Sequence, residues 1–152
     1  MKLEEAIHQP AFKNECQKAT INTIYTAAWL SQQSLHSLKP FGVSVQQFNI
    51  LRILRGRKGE PATIKLLTER MLDKMSNASR LVDRLETKGF VERTECKEDR
   101  RRVDIFLTAS GLELINEVSY IHDQYMQQLC SHLDDADAQQ LNELLDKLRQ
   151  KA

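Results

Sequence analysis

The chain has 152 residues, 41% hydrophobic and 28% charged, with a formal net charge of +1. This excludes a disordered chain and fits one ordinary domain, or a small module with helical arms. No apolar run reaches the ~18 residues of a membrane span, and MKLEEAIHQP lacks the apolar core of a signal peptide, so no membrane partner and a cytoplasmic location are expected.

In chain order, the first predicted helix runs from about Phe12 to Leu38. Ile21, Ile24, Tyr25, Ala28, Leu35 and Leu38 recur there at helical spacing, with no Pro or Gly between them. Lys39-Pro40-Phe41-Gly42 breaks it. Ser44 and Gln47 form a capping box that starts a second helix through Phe48, Leu51, Ile53 and Leu54. A basic turn from Gly56 to Pro61 follows, and then a short helix from Thr63 to Met71. A fourth helix is predicted from about Lys74 to Lys88, stopped by Gly89 as its C′ residue.

Phe90 to Thr94 and Arg102 to Leu107 read as paired strands. They are joined by the charged tip Cys96-Lys97-Glu98-Asp99-Arg100-Arg101. Thr108 is an N-cap for a long helix marked by Leu112, Ile115, Val118, Ile121, Tyr125, Met126, Leu129 and Leu133. A last helix carries Leu141, Leu144, Leu145 and Leu148. The fold class is therefore mainly α with a small β-hairpin wing. A winged helix-turn-helix spans 44–107, and helical dimerisation segments span 1–38 and 109–152. The terminal apolar stripes exceed what a small winged lobe can cover, so a homodimer about a two-fold axis is expected.

The near-neutral total hides an asymmetry. Residues 52–102 hold 15 Lys and Arg against 9 Asp and Glu, whereas the rest of the chain holds 7 against 12. A basic segment between acidic flanks fits a polyanion-binding surface. On the fourth helix, Met75, Ala78, Leu81, Val82 and Leu85 are expected on one face. Asn77, Arg80, Arg84 and Lys88 form a polar, cationic stripe on the other. Asn pairs with adenine and Arg with guanine in the major groove. Ser76 and Ser79 permit close approach, and their hydroxyls suit phosphate or base edges. The bland alternative is a solvated face with Arg80 paired to Asp83. The wing tip weighs against it, because three adjacent guanidiniums after Asp99 suit the negative minor groove, with Asp99 orienting one of them.

Ser76-Asn77-Ala78-Ser79-Arg80-Leu81-Val82-Asp83-Arg84-Leu85-Glu86, Lys88-Gly89-Phe90-Val91-Glu92-Arg93, Asp99-Arg100-Arg101, Leu107-Thr108 and Gly111 together resemble the MarR family of bacterial transcription regulators, over nearly the whole chain. The resemblance implies a triangular homodimer on a palindromic operator, most often a repressor released by a small aromatic ligand. It implies Arg101, oriented by Asp99 and beside Arg100, in the minor groove. It places Asn77, Ser79 and Arg80 on bases, and Ser76 and Arg84 on phosphates. Asn77 and Ala78 stand where Thr and Val are common, which bears on the operator sequence and not on the docking mode.

Three further sensing chemistries are open. Tyr25, Trp29, His36 and Phe48 are candidates to line an aromatic effector site, against a plain role in core or interface. Cys16 is a candidate redox thiol, about one helical turn earlier than in peroxide-sensing relatives; Cys96 and Cys130 read as free thiols. Cys130, His132 and His122 do not share a helix face, so neither metal nor cofactor is expected. There is no GxSxG, Walker loop, HExxH or GxGxxG, and no enzyme is expected. A winged-helix module for protein contact is the remaining alternative.

Overall fold

The computed structural model describes residues 1–96 and 103–150. Helix α1 (Leu3–Ala6) is short and has no counterpart in the sequence expectation. Its Glu4 meets Lys18 at 2.5 Å, and its Leu3 is buried. Helix α2 (Glu15–Leu38) starts three residues later than expected because Asn14 caps it, accepting from the Gln17 amide at 2.8 Å. A 3-10 turn over Lys39–Phe41 ends at Gly42, whose φ of 66° is left-handed backbone that glycine adopts without strain.

Helix α3 (Val45–Gly56) is the centre of the lobe. The predicted capping box is present: Ser44 Oγ accepts the Gln47 amide and Gln47 Oε1 accepts the Ser44 amide, both at 3.1 Å. Phe48, Ile50, Leu51, Ile53 and Leu54 are all buried. Around this helix pack α2, α4 (Ile64–Arg70), α5 (Ala78–Thr87) and α6 (Ala109–Leu129), so one core joins the long helices to the winged part.

Strands β1 (Val91–Glu95) and β2 (Val103–Leu107) pair antiparallel, with Arg93 opposite Ile105. Ala62 adds a bridge on the outer edge of β2: its amide donates to the Ile105 carbonyl at 2.9 Å, and the Ile105 amide donates back at 2.8 Å. That third partner was not expected, since one residue after Pro61 carries no strand pattern. The wing-tip residues Asp99, Arg100 and Arg101 lie outside the described residues.

Gly89 ends α5 as expected. With φ at 74°, it lets the Phe90 amide reach the Leu85 carbonyl (3.0 Å) and its own amide reach Glu86 (2.8 Å), a Schellman closure. Helix α6 is anchored on that closure. Thr108 Oγ1 accepts the Gly111 amide at 3.0 Å and donates to the Gly89 carbonyl at 2.7 Å. Helix α6 ends at Leu129 and not at Leu133, and Cys130–Leu133 form a turn before α7 (Asp135–Leu148).

Helices α2 and α6 pack through polar as well as apolar contacts. Tyr125 Oη donates to Gln33 Oε1 at 2.7 Å, and His122 Nδ1 lies 2.8 Å from Ser37 Oγ. Helix α7 buries no residue: Leu141, Leu144 and Leu148 are 44%, 56% and 48% exposed.

Candidate nucleic-acid interface

Helix α5, the fourth helix expected from the sequence, starts at Ala78, not near Lys74. Asn77 is its cap: the side-chain Oδ1 accepts the Arg80 amide at 3.0 Å, satisfying one of the helix's open donors. Residues 71–77 are instead a turn built on Asp73, which accepts the Met75 amide at 3.0 Å and the Ser76 hydroxyl at 2.7 Å. Those two bonds, the Ser76 hydroxyl first, hold the Asp73 carboxyl below its usual range. Asn49 of α3 fixes the turn from the other side by accepting the Leu72 amide at 3.0 Å.

The turn corrects one expected face. Ala78, Val82 and Leu85 are buried and Leu81 is packed on the core, but Met75 is 92% exposed because it precedes the helix. A second correction concerns Lys88. Its Nζ donates to the Gly42 carbonyl at 2.5 Å, so it ties α5 to the α2–α3 turn and leaves the outward stripe.

Asn77, Ser79, Arg80 and Arg84 are exposed, and Ser76 is half-buried. Ser76, Asn77, Arg80 and Arg84 line one side of a groove of about 300 Å³, with Gln46 of α3 and its cap Ser44 on the other. The bland pairing of Arg80 with Asp83 does not form. Asp83 meets Arg93 of β1 at 2.5 Å, and Glu86 meets the same guanidinium at 3.3 Å. Arg93 therefore takes both acidic groups of α5's outer face. Arg80 and Arg84 make no ion pair among the described residues, and their charge is available to an external anion. Sequence spacing missed this because Arg93 is far from Asp83 along the chain.

The four aromatic candidates do not come together. Phe48 is in the core, edge-on to His122 with ring centroids 4.8 Å apart. His36 is exposed and sits 6.5 Å from the Tyr125 ring. Tyr25 and Trp29 line a groove of about 370 Å³ between α1 and α2, together with Met1 and Leu3. A larger cleft, about 670 Å³, opens elsewhere between α2, α3 and the 71–73 turn, lined by Ala27, Ser31, Leu35, Val45, Met71 and Leu72 among others. Among the described residues no aromatic side chain lines it, so an aromatic search could not find it.

Cys16 is exposed in the first turn of α2, Cys130 is exposed after α6, and Cys96 is buried at the end of β1. Among the described residues, no three His, Cys, Asp or Glu side chains gather as a metal site. None of the described helices is long and apolar enough to cross a membrane.

Known proteins share this geometry. Residues 41–102 match the model of the MarR family. The HTH-type transcriptional regulator PecS of Dickeya dadantii is 31% identical over 132 residues, covering 84% of this chain and 78% of PecS. The HTH-type transcriptional regulator PapX of Escherichia coli is 27% identical over 93 residues, 61% of this chain but only 57% of PapX's length. The crystal structure of the S. aureus MepR–DNA complex superposes with a TM-score of 0.75 at 25% identity, covering 85% of this chain and 94% of that one. With the helix-turn-helix, its wing and the flanking helices all in place, this chain belongs to the MarR family.

Proposed function

We propose that this protein is a sequence-specific transcription regulator that binds double-stranded DNA as a homodimer on a palindromic site, acts as a repressor, and is released by a small effector. One observation carries the reading: in a MarR-family chain, the exposed face of α5 presents Arg80 and Arg84, neither ion-paired among the described residues, beside a hairpin wing. Arg80 and Ser79 meet base edges, and Arg84 and Ser76 meet phosphates. Asn77 keeps its Oδ1 on the helix cap, so its amide NH2 serves as a donor to a base acceptor. Arg101, oriented by Asp99 and flanked by Arg100, enters the minor groove. The lobe spans 44–107, and 1–38 with 109–152 form the dimer.

The exposed leucines of α7, with Ile24 and Tyr120 on the other terminal helices, supply the apolar surface that a second copy covers. The cleft between α2 and the 71–73 turn suits an effector. Its wall includes Asp73, so a ligand there bears directly on the turn that sets α5. Tyr25 and Trp29 offer a second, aromatic groove. The protein works in the cytoplasm, without catalysis or a cofactor.

The test is binding to the duplex DNA flanking its own gene, titrated across salt. Phosphate contacts release counterions, so a DNA reader loses affinity linearly in log–log form as salt rises. Site-selective, salt-steep binding is expected. Absence of binding to any duplex at low salt overturns the reading.

A further inference from the structure

Met75 stands at the foot of the recognition helix with 92% of its surface exposed. A lone exposed apolar residue is ordinary; its position in the fold is what gives it meaning. Hydrogen bonds from both sides fix the backbone of the turn that carries it. Asp73 accepts the Met75 amide and the Ser76 hydroxyl, and Asn49 accepts the Leu72 amide. Met71 and Ala78, at the two ends of the turn, are buried. The other long side chains of the turn are turned elsewhere: Lys74 Nζ folds back onto the Glu69 carbonyl at 2.5 Å, and Leu72 lines the cleft against α2. Met75, two residues before the Asn77 cap, is the more exposed of the turn's two exposed large apolar side chains, 92% against 83% for Leu72.

The N-terminal end of a recognition helix is the part that reaches base edges. In the major groove a thioether side chain donates nothing and accepts weakly. The one base feature that rewards it is the 5-methyl of thymine, since the other edges present polar groups. Its unbranched chain adapts to the depth of the groove. We propose that Met75 is a specificity-determining residue that reads a thymine methyl beside the base pairs addressed by Asn77 and Arg80. This rests on the DNA-binding reading given above.

Duplexes are selected from a randomised pool by the wild-type chain and by Met75→Ala. Each thymine of the wild-type consensus is then replaced by deoxyuridine, which lacks only the methyl. At one thymine per half-site, deoxyuridine is expected to weaken wild-type binding about three- to fivefold, the size of one methyl group's burial. Met75→Ala is expected to bind the two duplexes alike, with unchanged thermal unfolding because the side chain packs on nothing. If a consensus emerges but no thymine is methyl-dependent, or if the dependence persists in Met75→Ala, the inference about Met75 is overturned and the DNA-binding reading stands. If the wild-type chain selects no consensus at all, both fall.

Discussion

Arg93 of β1 lies 2.5 Å from Asp83 of α5, and the same guanidinium reaches Glu86 at 3.3 Å and the Ser79 carbonyl at 3.3 Å. Strand β1 and helix α5 are thereby locked by one side chain. The single guanidinium offsets one of the two negative charges and ties down both carboxylates, which would otherwise repel a phosphate or quench Arg80 and Arg84. Arg93→Ala is expected to lower stability by only about 0.2–1 kcal/mol, since the pairs are partly exposed. DNA affinity should fall at least tenfold, because α5 loses its brace and its outer face becomes more negative by one charge, with both carboxylates released. Arg93→Lys keeps the charge but not the fork and should recover only part of the affinity. Parallel denaturant unfolding and DNA titration measure both; an equal loss in stability and binding energy would contradict the brace.

Gly111 sits where α6 meets the turn after α5. A Cβ built there would lie 1.9 Å from the Phe90 carbonyl oxygen, which is backbone and cannot rotate away. Alanine favours helix over glycine by ~1 kcal/mol in an open helix interior, yet the overlap forces α6 to shift. Gly111→Ala is expected to destabilise by about 1–3 kcal/mol, the usual range for overpacking. A midpoint in urea equal to or above wild type would show that α6 moves freely.

His122 is buried between α2, α3 and α6, with Ser37 on Nδ1 and the Phe48 ring edge-on. Burial, the largest cause, pushes its pKa below the usual 6.5; the Asp123 charge opposes it, and the Arg52 charge adds a smaller push downward. The folded state therefore binds the proton more weakly than the unfolded state. The stability contribution is full above about pH 6.5 and declines as pH falls through and below that value. His122→Gln is expected to flatten the stability profile below about pH 6.5. Urea unfolding across that range, wild type beside variant, gives the answer; a wild-type profile rising toward acid pH would reverse the sign.

Arg80 makes no ion pair among the described residues and faces outward from the first turns of α5. If it pairs with a base, Arg80→Ala costs about 1–3 kcal/mol of operator binding and relaxes preference at one base-pair position. Arg101→Ala weakens operator binding strongly and leaves the dimer intact. Affinity for an operator panel separates a base contact from a phosphate contact, since the latter loss is uniform across sequences. Unchanged operator affinity in both variants would sink the docking model.

Leu141, Leu144 and Leu148 repeat along one side of α7 and are each at least 44% exposed. Burying such side chains is worth roughly 1.5–3 kcal/mol each, so three of them on each of two copies form a substantial seam. The double variant Leu144→Asp, Leu148→Asp is expected to sediment as a monomer and to lose operator binding. A wild-type chain that is already monomeric at micromolar concentration would remove the basis for a two-lobed reader.

Local chemistry was legible in the sequence. The Ser44–Gln47 box, the Thr108 cap, the left-handed Gly89 stop and the two wing strands follow from backbone donors, acceptors and dihedral freedom within a few residues, and the structure has each of them. The MarR pattern around Arg80 and Asp83 was legible for the same reason, since it lies in one continuous segment. What the sequence left open involves partners distant along the chain. Whether Asp83 answers to Arg80 or to Arg93 depends on how β1 packs against α5. Whether Met75 is core or surface depends on where Asn77 chooses to cap, and Lys88 leaves the stripe only because Gly42 is folded beneath it. The aromatic side chains were conspicuous by type but scattered by the fold, while the cleft of about 670 Å³ has no aromatic wall among the described residues. Short-range geometry is encoded residue by residue; ion-pair choice, exposure and cavities are decided only when helices far apart in sequence meet.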